Sequence, residues 1–183
     1  EALAIDPTDD FVVKSLGLSY YKIKKYDQSM HYLKKALSMG MKDLQSYIHL
    51  GKIYTHKNKL DTANIYFSDA LELLKPDNNL IFSVKENMGK NFYSKGEYAK
   101  AIEQFDKIIK LELKDGYWGT YRKNKVIIDI ASIYYEKLGD KMKAIEYYEK
   151  VTKPELMVNK DYYSYAQKQI KKLKEELFFE GAL

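Results

Sequence analysis

A short pattern of small and aromatic residues returns along this chain at a nearly fixed interval, and it limits the possible folds more than any other feature. LGLSYY occupies residues 16–21, LGKIYT 50–55 and MGKNFY 88–93, with a weaker IASIYY at 130–135. Gly17 and Gly51 are 34 residues apart, and Gly17, Gly51 and Gly89 are each followed three residues later by an aromatic, Tyr20, Tyr54 and Phe92. Twelve residues after Gly51 and Gly89 come Ala63 and Ala101, and four further on come Phe67 and Phe105. Within a unit, Tyr47, Leu50, Gly51 and Tyr54 follow the i, i+3, i+4, i+7 spacing of one helical stripe. A small residue in mid-helix lets a partner helix approach closely, which offsets a propensity loss of up to ~1 kcal/mol for Gly. The fixed period therefore predicts stacked helix-turn-helix units.

These residues resemble the tetratricopeptide-repeat family over about 150 of the residues. The resemblance implies an all-α fold, a right-handed solenoid of antiparallel helix pairs with a C-terminal capping helix. Pro7, taken as the usual end of a repeat, sets residues 1–9 as the end of a truncated preceding repeat, with further repeats expected upstream. Repeat one is then expected at 10–43 (helices near 10–23 and 26–39) and repeat two with a linker at 44–81 (helices near 44–57 and 60–75). Repeat three is expected at 82–115 (helices near 80–95 and 98–112), the turn-forming PDNN at 76–79 absorbing four extra residues. Repeat four, at 116–158, gains about eight residues ahead of its first helix and one in its hairpin, giving helices near 118–137 and 140–152. Residues 159–183 lack the repeat pattern, but Tyr162, Ala166, Ile170, Leu173 and Leu177 form one stripe, as expected of a capping helix and tail. Phe178 and Phe179 are either tucked beneath it or left as an adhesive end.

Composition narrows the function classes. No stretch approaches the ~18 apolar residues of a membrane-spanning helix, and EALAIDPTDD lacks the basic and apolar regions of a signal peptide. With no Cys there are no disulfides, thiolate metal sites or Cys nucleophiles. The net charge is +5, but Arg122 is the sole Arg and the Lys residues are interspersed with acids, so no nucleic-acid ligand is expected. His49 and His56 are two turns apart, ~10.5 Å along a helix, too far to share a metal ion. No phosphate loop or G-x-S-x-G motif occurs. The expectation is a chain that is not an enzyme and takes no cofactor.

In tetratricopeptide-repeat proteins the first helices line a concave groove. Carried onto this chain by repeat position, the resemblance implies partner-binding residues Lys14, Leu18, Tyr21 and Lys22 in repeat one, and His49, Lys52 and His56 in repeat two. It implies Asn87, Lys90 and Tyr93 in repeat three, and Ile128 and Tyr135 in repeat four; Ile48 occupies an equivalent place. The first three repeats carry four Lys and two His on this face against Glu86, whereas the fourth turns acidic with Asp129 and Glu136. Cations among aromatics suit a protein or peptide partner, an acidic one in particular. The carboxylate clamp of chaperone adaptors does not fit: its five places read Lys14, Leu18, His49, Ser83 and Asn87, of which only Lys14 matches. The implied function is a non-catalytic protein- or peptide-binding scaffold, with an RNA-binding helical array or a regulatory domain of a larger enzyme as alternatives. DGYWGTYRK at 115–123 holds the only Trp and the only Arg, and is expected to extend the following helix over the preceding repeat rather than to touch a partner.

Overall fold

The computed structural model describes residues 9–73, 78–113, 116–153 and 162–182, which are helical apart from short turns. Pro7, Pro76, Pro154, Asp115 and residues 159–161 lie outside this set. Among the described residues no helix is long and apolar enough to cross a membrane. The helices are α1 (Asp10–Lys22), α2 (Tyr26–Ser38), α3 (Leu44–His56), α4 (Leu60–Leu73), α5 (Asn78–Ser94), α6 (Tyr98–Ile109), α7 (Gly116–Glu136), α8 (Lys141–Glu149) and α9 (Tyr162–Phe179). They fall into two compact units, Glu1–Asn91 and Phe92–Leu183.

Local chemistry sets the helix ends. Asp9 and Asp43, themselves 34 residues apart, cap α1 and α3 through side-chain bonds from Phe11 and Val12 N–H and from Ser46 N–H. Each such cap satisfies donors that a helix start leaves orphaned. The turns within the helix pairs pass through a left-handed residue, Lys24, Asn58, Gly96 or Gly139. The next residue's N–H returns to the carbonyl of Tyr20, Tyr54, Phe92 or Tyr134, respectively. α8 ends at Glu149, three residues short of expectation. Buried Asn124 holds the chain just beyond it, accepting from Thr152 N–H at 3.1 Å and donating to the Thr152 carbonyl at 2.7 Å.

In unit 1, α1 pairs with α2 and α3 with α4, and α3 also lies against α2 and α1. Leu33 of α2 meets Leu50 and Ile53 of α3 in a fully buried cluster. The small residues work as the sequence implies. A Cβ placed on Gly17 would stand 2.9 Å from the Leu33 side chain, and one on Gly51 2.6 Å from the Phe67 ring. A second pairing runs alongside the first: Tyr20 stacks on Tyr32 and Tyr54 on Tyr66, each twelve residues apart, at centroid distances of 5.4 and 5.3 Å. α5 joins this unit through a buried amide, Asn91 Nδ2 donating to Asn64 Oδ1 at 3.0 Å and to Thr55 Oγ1 at 3.1 Å.

In unit 2, α7 pairs with α8, and Tyr134 stacks on Tyr147 at 5.4 Å, the extra hairpin residue stretching the spacing to thirteen. The Tyr147 hydroxyl donates to Asp106 of α6 at 2.9 Å. Burial and the bond to that carboxylate push the Tyr147 phenol far above its usual range. α7 begins two residues earlier than expected, and its first turns run so close to Leu113 that a Cβ on Gly119 would lie 2.9 Å from the Leu113 Cβ. α9 packs on α8 and α7 through buried Ala166, Ile170, Leu173 and Leu177. Its end is not tucked away: Phe178 and Phe179 are 67% and 85% exposed.

Candidate functional site

The first helices of unit 1 carry most of the residues expected to meet a partner, and the fold sorts them into three groups. Tyr21 and His49 touch edge to face, ring centroids 4.5 Å apart, which joins α1 to α3. Tyr26, at the start of α2, meets His56 at 4.6 Å and Tyr21 at 5.7 Å, so the four rings make one continuous aromatic surface. Repeat position does not place Tyr26 on this face, because it belongs to a second helix. His49 Nδ1–H donates to the Gln45 carbonyl at 2.7 Å, which leaves Nε2 as the acceptor. Burial holds the His49 imidazole below its ordinary value, and the charges of Lys52 and Lys22 push the same way. The Gln45 bond and Asp43 oppose this shift, and burial outweighs them. Lys22 and His56 are exposed and Lys52 half-buried at the edge of this surface. Burial also raises the Tyr21 phenol, so that hydroxyl keeps its proton.

A second group has its polar atoms engaged. Lys14 Nζ lies 3.4 Å from Asp43, the residue that caps α3, and 5.0 Å above the Phe11 ring. Asn87 donates to the Ser83 carbonyl at 2.7 Å, and Lys90 pairs with Glu86 at 2.6 Å one turn away on α5. Leu18 forms the third group: it packs against the Leu33, Leu50 and Ile53 cluster and so contributes to the core. Ile48, expected on the open face, is likewise buried.

Unit 2 holds the remaining expected residues. Tyr93 is 39% exposed with its ring 5.6 Å from Tyr98. Ile128 is half-buried on α7. Tyr135 is covered by α9: Lys172 Nζ approaches its hydroxyl at 3.4 Å and its ring centroid at 5.3 Å, and the hydroxyl donates to Glu176 at 3.4 Å. No local sequence signal pairs these residues, which are 37 and 41 positions apart. On the N-terminal extension of α7, Trp118 is 64% exposed, while Tyr121 meets Tyr162 of α9 in a tilted contact with ring centroids 4.9 Å apart.

Known proteins resemble this chain in sequence and in fold. The tetratricopeptide-repeat family model matches residues 15–39, 44–74 and 125–153, which fall on the first, second and fourth expected repeats. Subunit 3 of the anaphase-promoting complex of Schizosaccharomyces pombe is 24% identical over 127 residues, 69% of this chain and 18% of that protein. The BBSome complex member BBS4 of Bos taurus is 32% identical over 103 residues, 56% of this chain and 19% of that protein. The chain thus spans about a fifth of the length of the curated relatives it matches. The crystal structure of MamA shares the fold, with a TM-score of 0.63 at 21% identity over 93% of this chain and 83% of that one.

Proposed function

We propose that this chain, three of whose helix pairs match the tetratricopeptide-repeat model, is a non-catalytic scaffold that binds an acidic, aromatic-bearing peptide segment on the first-helix face of unit 1. One observation carries the reading. Tyr21, Tyr26, His49 and His56 form a contiguous ring surface, with Lys22 next to Tyr21 at the end of α1 and Lys52 one turn along α3 from His49. A peptide carboxylate gains charge-assisted hydrogen bonds from the two lysines, and an aromatic side chain stacks on the rings between them. His49 is neutral near pH 7 and adds no charge, but its Nε2 accepts a hydrogen bond from a backbone N–H. Lys14 and Lys90 act more weakly, because each already neutralises a carboxylate.

Lys22→Glu with Lys52→Glu tests the reading in the full chain. An acidic, Tyr-containing peptide should bind the parent protein and lose at least about tenfold in affinity on the double variant, a difference of about 1.4 kcal/mol. Far-ultraviolet circular dichroism should be unchanged, since neither side chain is in the core. Unaltered peptide binding would move the site elsewhere. Tight binding of single-stranded RNA at physiological salt, weakening steeply as salt rises, would favour the RNA-binding alternative.

A further inference from the structure

The last helix carries two different faces, and each has a counterpart on α3. Ala166, Ile170, Leu173 and Leu177 of α9 stand 120 residues beyond Ser46, Leu50, Ile53 and Lys57, and the first three of these positions are buried in α3 just as in α9. In α3, Leu50 and Ile53 pack back on the preceding helix, meeting Leu33 of α2. In the same register α9 packs back on α8 and α7. The other face of α3, comprising Tyr47, Gly51 and Tyr54, receives its own second helix through Phe67 and Tyr66. At the corresponding positions α9 carries Gln167, Lys171 and Lys174, followed by Phe178. A shallow, solvent-open cavity of about 510 Å³ lies on this face, bordered by Ile170, Lys171, Lys174, Phe178 and Phe179 and also by Gln167 and Glu175.

α9 is therefore a first helix whose second-helix face has been rewritten. Where the repeats place a small residue against Leu33 or Phe67, α9 places the 81% exposed ammonium side chain of Lys171. An apolar side chain brought onto that ammonium would desolvate it without compensation, whereas a carboxylate would pair with it. The ion pairs Lys171 makes with Glu175 at 4.0 Å and Lys174 makes with Glu149 at 3.3 Å are solvent-exposed and cost little to exchange. Phe178 and Phe179 supply the apolar end of the same strip.

We propose that this face of α9 docks an amphipathic helix of another protein, with acidic side chains against Lys171 and Lys174 and an apolar side chain in the cavity beside Phe178. A second copy of α9 is a poor occupant, because self-pairing sets the lysines of the two copies against each other. A lipid surface fits less well than a protein helix, since Glu175 lies among the lysines on this face. This surface is separate from the unit 1 face and does not depend on the function proposed for it.

The test uses the full chain and two helix-stabilised peptides of about 20 residues, long enough to hold a helix. Both carry a Leu stripe, flanked by Glu in one and by Lys in the other. The parent protein should bind the Glu peptide at least about tenfold more tightly than the Lys peptide, and Lys171→Glu with Lys174→Glu should invert that preference. Phe178→Ser with Phe179→Ser should weaken both, and Lys22→Glu with Lys52→Glu should change neither, which separates this site from the unit 1 face. Equal affinity for the two peptides, or none for either, overturns the proposal, as does Glu-peptide binding that survives reversal of Lys171 and Lys174. Two further results would replace the partner helix with another occupant. One is self-association abolished by the Phe substitutions; the other is sedimentation with phosphatidylcholine–phosphatidylserine vesicles that needs both Phe residues and occurs without peptide binding.

Discussion

Gly51 lies so near the Phe67 ring that even one added carbon has no room, its built position being 2.6 Å from the ring edge. Both groups are fully buried in unit 1, so relief requires the ring or a whole helix to move. Gly51→Ala should cost about 1–3 kcal/mol despite its better helix propensity, and Ala63→Leu on the facing helix should cost a similar amount by overpacking. Urea denaturation midpoints check both, and an unshifted midpoint would contradict the close-approach account. His49 makes a different prediction. Its folded-state value lies below the ordinary 6.5, so the unfolded chain binds more protons as pH falls through that value. The contribution of His49 is therefore complete above about pH 6.5 and is lost as pH drops toward the folded-state value. Thermal melts between pH 5 and 7.5 should show this slope in the parent protein and a shallower one in His49→Gln.

At the scale of elements, α9 covers what the fourth helix pair would otherwise expose. Ile145, Tyr148 and Val151 are buried, and α9 packs on α8 and α7 with Leu173 entirely enclosed. Lys141 at the start of α8 adds ion pairs to Glu176 and Glu180 near the end of α9, and Glu176 is held below the usual carboxylate range chiefly by that lysine. Leu173→Ala should destabilise unit 2 by about 2–5 kcal/mol. Ending the chain before Tyr162 should bare the α8 surface and produce aggregation or partial unfolding, visible as light scattering and an early thermal transition. A truncated protein that stayed soluble with an unchanged midpoint would show that α9 is only loosely attached.

For the molecule as a whole, charge is distributed more selectively than a net +5 suggests. Many lysines sit in ion pairs one helical turn from a carboxylate, such as Lys107–Glu103, Lys125–Asp129 and Lys150–Glu146. Such exposed pairs contribute little stability, but each neutralises a lysine locally. Lys22 and Lys52 beside the unit 1 rings are the cations on which the proposed function rests. Peptide affinity on that face should fall only modestly between low and physiological salt, because two lysines rather than a long phosphate-binding track are involved. Titrations at several salt concentrations check this; a salt dependence as steep as that of nucleic-acid binders would argue for a polyanionic ligand.

The sequence by itself determined the helices and their pairing. Stripes of 3.6-residue period specify which face of each segment is buried, and a small residue facing a large apolar one sixteen positions later specifies which helix covers it. Both signals are local, so Gly17, Gly51, Ala63 and Phe67 were readable before any coordinates. The candidate binding residues were legible only as positions. Whether Lys14 is free or bound to Asp43, whether Leu18 faces a partner or the Leu33 cluster, and whether Tyr135 is open or covered by Lys172 and Glu176 depend on contacts 15 to 41 residues apart along the chain. Long polar side chains reach several neighbours at similar local cost, so their partners are selected only once the helices are packed. For the same reason Tyr26 joins the ring surface and Lys171 faces the open side of α9 only in the tertiary structure, where helix register turns a repeat position into a neighbour.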